Sequence, residues 1–187
     1  MEYDHDRCDE PVVDRVGPSA APLMSAVEAV EAVEGRLRRA TPADLEMVVE
    51  MRAVMFAAMG AKVDESWLEP ARAWFAANFD DPDLGIFFIE WKGRVVSCGV
   101  GQIRRTIPSA GNPSGVDVYV NTVVTREEAR GRGFARAVTQ AVLDWGRSRG
   151  ATRAELLATP AGRPIYEGLS FAEFGNVAMR APLTDRS

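Results

Sequence analysis

The sequence predicts a mixed α/β fold, a central sheet with helices on its faces, in the order β-α-α-β-β-β-α-β-α-β. Three observations predict it. Short runs rich in β-branched residues, Val116 to Val124 above all, alternate with runs whose apolar residues recur at helical spacing. Glycine, proline and aspartate stand at the joins. Hydrophobic residues make up 47% of 187 residues, enough to bury the core of one domain.

The elements follow in order. Arg36 to Ala40 is short and fits an edge strand. Thr41-Pro-Ala-Asp44 announces a helix, with Thr41 to cap free amides, Pro42 in the first turn and Asp44 at the capping-box position. Leu45, Val48, Val49, Arg52, Met55, Phe56 and Met59 then repeat at helical spacing up to Gly60. A second helix is expected from Glu65 to Asn78, with Trp67, Ala71, Trp74 and Phe75 on its apolar face. Asp80 to Asp83 is a turn. Gly85–Trp91 and Arg94–Gly101 flank Lys92-Gly93, the signature of a hairpin. Residues 106–115 form a loop, and Val116 to Val124 a strand. A helix from Gly133 to Arg149 carries Phe134, Val138, Ala141, Val142 and Trp145 on one face and stops at Gly150. Ala154–Ala158 is a strand, Pro164–Leu169 a short helix, and Val177–Ala181 a final strand.

Charge divides the chain unevenly. Residues 1–34 hold nine of the 27 acids and two of the 22 bases, so the acidity belongs to an N-terminal extension and the domain from residue 35 to 187 is nearly neutral. A nucleic-acid surface needs a clearly basic domain, and none is expected. No apolar run reaches the ~18 residues of a membrane span. The acidic start is neither a secretory signal nor a transit peptide, so a cytoplasmic protein is expected. Residues 1–24, with Pro11, Gly17, Pro18 and Pro22, read as disordered. Val27 to Val33 reads equally as a short helix or a solvated linker. Cys8 and Cys98 suggest no disulfide. The group Asp4, His5, Asp6, Cys8 and Asp9 has metal-capable atoms but reads as a solvated segment, so no metal is expected.

The chemistry lies in a strand followed by Arg130-Gly-Arg-Gly-Phe-Ala135 and a helix. A glycine-containing loop at a helix start aims several N–H groups in one direction, where the helix dipole adds positive potential. That is a phosphate cradle. The P-loop pattern is absent, and the dinucleotide fingerprint fails because Arg136 stands where its last glycine belongs. Arg130, Gly133 and Ala135 do match R-x-x-G-x-A. Further on, a strand ends near Thr159, Gly162-Arg-Pro-Ile-Tyr166-Glu opens a helix, and Leu169-Ser170-Phe171 closes it. On these two segments, residues 36–181 resemble the GNAT superfamily of acyl-CoA N-acyltransferases. The match departs from the family at Ser170, where a glycine is usual, at Glu127, often proline, and at Ala129, often aromatic.

The resemblance implies a mixed sheet of about six to seven strands flanked by about four helices, and an acetyltransferase that uses acetyl-CoA as cosubstrate. It implies that Val123, Val124 and Thr125 lie along the pantetheine arm, with the Val123 N–H a donor to the thioester oxygen. It places the pyrophosphate on Arg130, Gly131, Arg132, Gly133, Phe134 and Ala135. It makes Tyr166 the candidate acid for the departing thiolate, while Thr159 either contacts the cofactor arm or caps the next helix. Asp117, on the strand where some members carry a glutamate, is the candidate base, with Tyr119 and Asn121 on its face to orient water. The expected acceptor is a primary amine of a small molecule, attacked in a ternary complex. A protein lysine or N-terminus, and a non-catalytic acyl-CoA sensor, are the alternatives. A homodimer is implied by the resemblance alone.

Overall fold

The computed structural model of the chain describes residues 35–60, 64–175 and 178–183. The acidic extension, including the segment Val27 to Val33 and the metal-capable group, lies outside the described residues. Strand β1 (Arg36–Arg39) leads through a 3-10 turn (Pro42–Asp44) into helix α1 (Leu45–Ala58). Asp44 accepts the Thr41 N–H at 2.9 Å and takes both arms of Arg38 at 2.8 Å, while Arg38 Nε reaches Glu90 at 2.6 Å. The guanidinium holds the Asp44 carboxyl down to about 2. The start of α1 is thereby tied to the sheet edge. A second 3-10 turn (Glu65–Trp67), capped by Asp64, opens helix α2 (Leu68–Asn78).

Strands β2 (Leu84–Trp91) and β3 (Arg94–Arg105) form the expected hairpin, with Lys92 at φ 51° and Gly93 at φ 73°, the left-handed pair of a tight primed turn. Strand β4 (Val116–Thr125), helix α3 (Phe134–Ser148), strand β5 (Arg153–Leu156) and helix α4 (Arg163–Glu167) complete the order. The sheet runs β1-β2-β3-β4-β5, antiparallel except that β5 lies parallel to β4 across the α3 crossover. Among the described residues the sheet has five strands, against the about six to seven expected. Residues 178–181 carry no strand: Met179 is exposed, so no neighbouring face rewards its alternation.

Helices α1 and α2 cover one face of the sheet over Val48, Met51, Phe75, Phe88 and Cys98. Helix α3 covers the other, and all five residues of its expected apolar face are buried. It sits close because the sheet beneath it has no side chains at Gly85, Gly99 and Gly101. A Cβ at Gly99 would come within 3.0 Å of Val138, and one at Gly101 within 2.5 Å of Val142.

Two departures from regularity position the site. Val100 pairs with Thr122 and Gly101 with Val120, leaving Asn121 as a β-bulge in β4. And β5 pairs with β4 only from Asp117 to Val120. Beyond the bulge, the outer edge of β4 has no strand beside it among the described residues.

Candidate active site

The open edge is formed by particular residues. The Val124 carbonyl accepts the Ser97 hydroxyl at 2.9 Å, and the Arg126 N–H bonds Val96 at 2.8 Å, both towards β3. By alternation, Val123 and Thr125 turn their N–H and C=O groups to the opposite, unpaired edge. The Thr125 carbonyl there accepts Arg130 Nε at 3.4 Å, which ties the strand to the following loop.

That loop turns at Gly131, φ 75°, and Gly133, φ 78°, and α3 begins at Phe134. Both values lie in the left-handed region that side chains disfavour. Above each glycine an added Cβ would meet nothing within 4 Å, so the space over the loop is open. Among the described residues, no protein acceptor takes the N–H groups of residues 131–136, and Gly133 provides no side-chain cap. These are the orphan donors of a helix start, gathered on a bend and facing free space. The side chains are otherwise engaged. Phe134 is buried, Arg132 lies over the Trp91 ring at 4.4 Å, and Arg136 donates to the Gly168 carbonyl at 2.7 Å. A pyrophosphate fits this cradle: it needs convergent donors, positive potential and room, and the loop supplies all three.

Tyr166 sits on α4 and is half-buried. It meets Phe171 edge-to-face at 5.9 Å, and Phe171 packs on the cluster holding Val120 and Val142, with Val123 and Leu156 packed against the same cluster. The ring is thus linked through Phe171 to the apolar cluster between α3 and the sheet. Its hydroxyl has no protein partner among the described residues, and burial pushes its pKa above the ordinary tyrosine value. Thr159 is a cap: its hydroxyl accepts the Gly162 N–H at 3.2 Å, and its carbonyl accepts Gly162 and Arg163 at 3.0 Å. Ser170 adopts φ 67°, which accounts for the glycine usual at that position in the resembled family.

Asp117 is brought to a different place. It is 1% exposed, and Arg153 Nε and Nη2 bond its two oxygens at 2.9 and 3.0 Å, with Asn112 Nδ2 adding a third bond at 2.8 Å. Arg153 is its register partner on β5. Cys98 is fully buried, and burial drives its thiol pKa upward, so it is no nucleophile at neutral pH. Among the described residues no group of histidine, cysteine, aspartate and glutamate could hold a metal, and no helix is long and apolar enough to cross a membrane.

On the α1–α2 face, a cavity of about 310 Å³ meets the bulge. Arg52, Trp74, Phe75, Gln102 and Asn121 line it. Arg52 Nη1 donates to Asn121 at 3.0 Å and to Thr122 at 2.8 Å. Sequence reasoning puts Trp74 and Phe75 on the apolar face of the second helix. It missed Arg52 and Gln102 as site residues, because nothing in one α1 repeat or one strand marks the residue that faces a bulge in another. A larger cavity of about 410 Å³ beside β1 is lined by charges already paired, Arg38 with Asp44 and Arg126 with Glu50.

A mixed α/β domain that gathers unpaired main-chain donors at a helix start, next to an open strand edge, has room and donors for an extended phosphate-bearing ligand. A family model described as Acetyltransferase (GNAT) family matches residues 48–171, more than half of the chain, so the chain belongs to that family and is an acyltransferase. Solved structures share the fold. A predicted acetyltransferase from Clostridium acetobutylicum, solved with acetyl-CoA, superposes with a TM-score of 0.75 at 18% identity, over 82% of this chain and 99% of that one. A GCN5-related N-acetyltransferase from Ralstonia eutropha gives 0.70 at 21%, over 79% and 98%. The aminoglycoside N-acetyltransferase AAC(6')-Iy, solved with CoA, gives 0.66 at 18%, over 80% and 95%. No curated protein matches the sequence.

Proposed function

We propose that the chain moves an acetyl group from acetyl-CoA to the primary amine of a small molecule, by direct attack in a ternary complex. The observation that carries this is the row of unpaired N–H groups at residues 131–136, continuous with the open β4 edge at Val123 and Thr125. The N–H groups of Gly131 to Ala135 take the pyrophosphate, and the edge from Val123 to Thr125 takes the pantetheine arm as a neighbouring strand would be taken. The Val123 N–H donates to the thioester oxygen as it gains negative charge, a kind of contact whose loss costs ~3 kcal/mol of barrier.

The amine nitrogen then bonds to the carbonyl carbon, the carbon–sulfur bond breaks, and the thiolate leaves with the electron pair. Tyr166 supplies the proton to sulfur, and burial keeps its phenol protonated at neutral pH. The proton lost by the amine passes to water held at Asn121 and Gln102. Asp117 is assigned to joining β4 and β5, since its oxygens are engaged by Arg153 and Asn112. The size of the cavity at the bulge favours a small acceptor over a peptide. Titration calorimetry with acetyl-CoA tests the reading: micromolar binding is expected, and no heat up to millimolar cosubstrate overturns it.

A further inference from the structure

We infer that the acceptor is a small primary amine that also bears a carboxylate, held by Arg52. This rests on the acetyltransferase reading above and narrows it to a substrate class. Arg52 is half-buried on α1, its guanidinium 5.3 Å from the Phe56 ring, and no Asp or Glu among the described residues pairs with it. Its two hydrogen bonds go to neutral groups, the Asn121 carbonyl oxygen and the Thr122 hydroxyl, and both leave from Nη1. Those bonds orient the group without neutralising it. Nε and Nη2, the other side of the fork, have no protein partner among the described residues.

A planar fork with one free side is the shape that grips a carboxylate with two parallel bonds. The rest of the cavity agrees. It is lined by no acidic residue, so a polycationic amine would meet an unopposed positive charge. It offers one cation, which matches a carboxylate in charge, whereas a phosphate monoester dianion would call for a second. Trp74 and Phe75, packed edge-to-face at 5.2 Å, wall the other side, and Trp74 is 42% exposed, open to an apolar substituent. Asn121 lies at once in this wall and at the bulge where β4 loses its β5 neighbour, so an amine anchored at Arg52 is held beside the open edge.

The test uses the full chain, acetyl-CoA and four probes: phenylalanine, phenylalanine amide, spermidine and kanamycin. Phenylalanine is expected to exceed its amide in kcat/KM by about 10- to 100-fold, the worth of a charge-assisted pair, with the difference in KM. Arg52→Gln should bring that ratio to about one, and Arg52→Lys, which keeps charge but not the fork, should restore part of it. Acetyl-CoA calorimetry on both variants checks that they remain folded. Equal rates on phenylalanine and its amide, preference for spermidine or kanamycin, or no turnover of any probe despite acetyl-CoA binding overturns this inference and leaves the cosubstrate reading standing. Absence of acetyl-CoA binding removes both.

Discussion

On one side of the bulge at Asn121 stand the N–H groups of residues 131–136 and the open edge at Val123, main-chain groups placed by two left-handed glycines, a helix start and a strand that ends early. On the other side stand Arg52, Trp74 and Gln102, side chains brought from α1, α2 and β3. The first region depends on backbone shape and tolerates change in most of its side chains. The second depends on which side chain occupies each position and tolerates almost any backbone that supports it. Variants aimed at each region should therefore fail in different ways.

The largest effect is expected at the backbone side. Gly133→Val puts a branched side chain at φ 78° and fills the open space over the cradle. Acetyl-CoA affinity, read by calorimetry, should fall at least ~100-fold, the loss of two hydrogen bonds to a charged ligand. Strain alone adds about 1–2 kcal/mol of instability. Gly150→Val supplies the control. It sits at φ 84° at the other end of α3, also with nothing within 4 Å of an added Cβ. It should lose comparable thermal stability while keeping its acetyl-CoA affinity. Equal affinity in the two variants would mean that the cradle is not where the cosubstrate binds.

A smaller effect is expected at Tyr166, the proposed proton donor to the leaving thiolate. Tyr166→Phe keeps the packing on Phe171 and removes only the proton donor, so kcat should drop about 100-fold with acetyl-CoA affinity retained. The pH dependence fixes the sign. An acid must be protonated to act, and burial raises this phenol above its ordinary value of 10.0. The wild-type kcat should accordingly hold through neutral pH and decline only as pH rises past that raised value. The Phe variant should lack this alkaline limb. A full kcat in the variant would move the proton source elsewhere.

The contrast between the regions also explains what the sequence discloses. Glycine before a helix, Lys92-Gly93 between two strands, and Thr41-Pro42 ahead of α1 are local signals, because each reflects a backbone conformation that few residue types adopt. The fold order and the cradle follow from such signals. The bulge at Asn121 has no local mark, since it arises from the register of β3 against β4. The strand β3 runs on to Arg105, past the expected end at Gly101, because Ile103 still finds cover beneath α3. Arg52 reads in sequence as one position of a helical repeat. Only the sheet that α1 crosses makes it the wall of a cavity.

Asp117 is the residue whose proposed role changes most between sequence and structure. Its place on β4 makes it a reasonable base in one dimension. In three dimensions Arg153, its neighbour on β5 and 36 residues away, takes both its oxygens. Asp117→Asn should therefore act on the joint and not on the chemistry. Arg153 loses the partner it grips with two bonds and keeps only Glu155 at 3.2 Å, and the Asn112 amide loses a charged acceptor at 2.8 Å, so the melting temperature should fall by several degrees. Turnover at a temperature where the variant is folded should stay within about tenfold of wild type, whereas loss of a general base costs ~10²- to 10⁴-fold. A fall of that larger size, with kcat rising towards alkaline pH as the amine deprotonates unaided, would return Asp117 to catalysis. It would also require the Arg153 pair to open in the ternary complex.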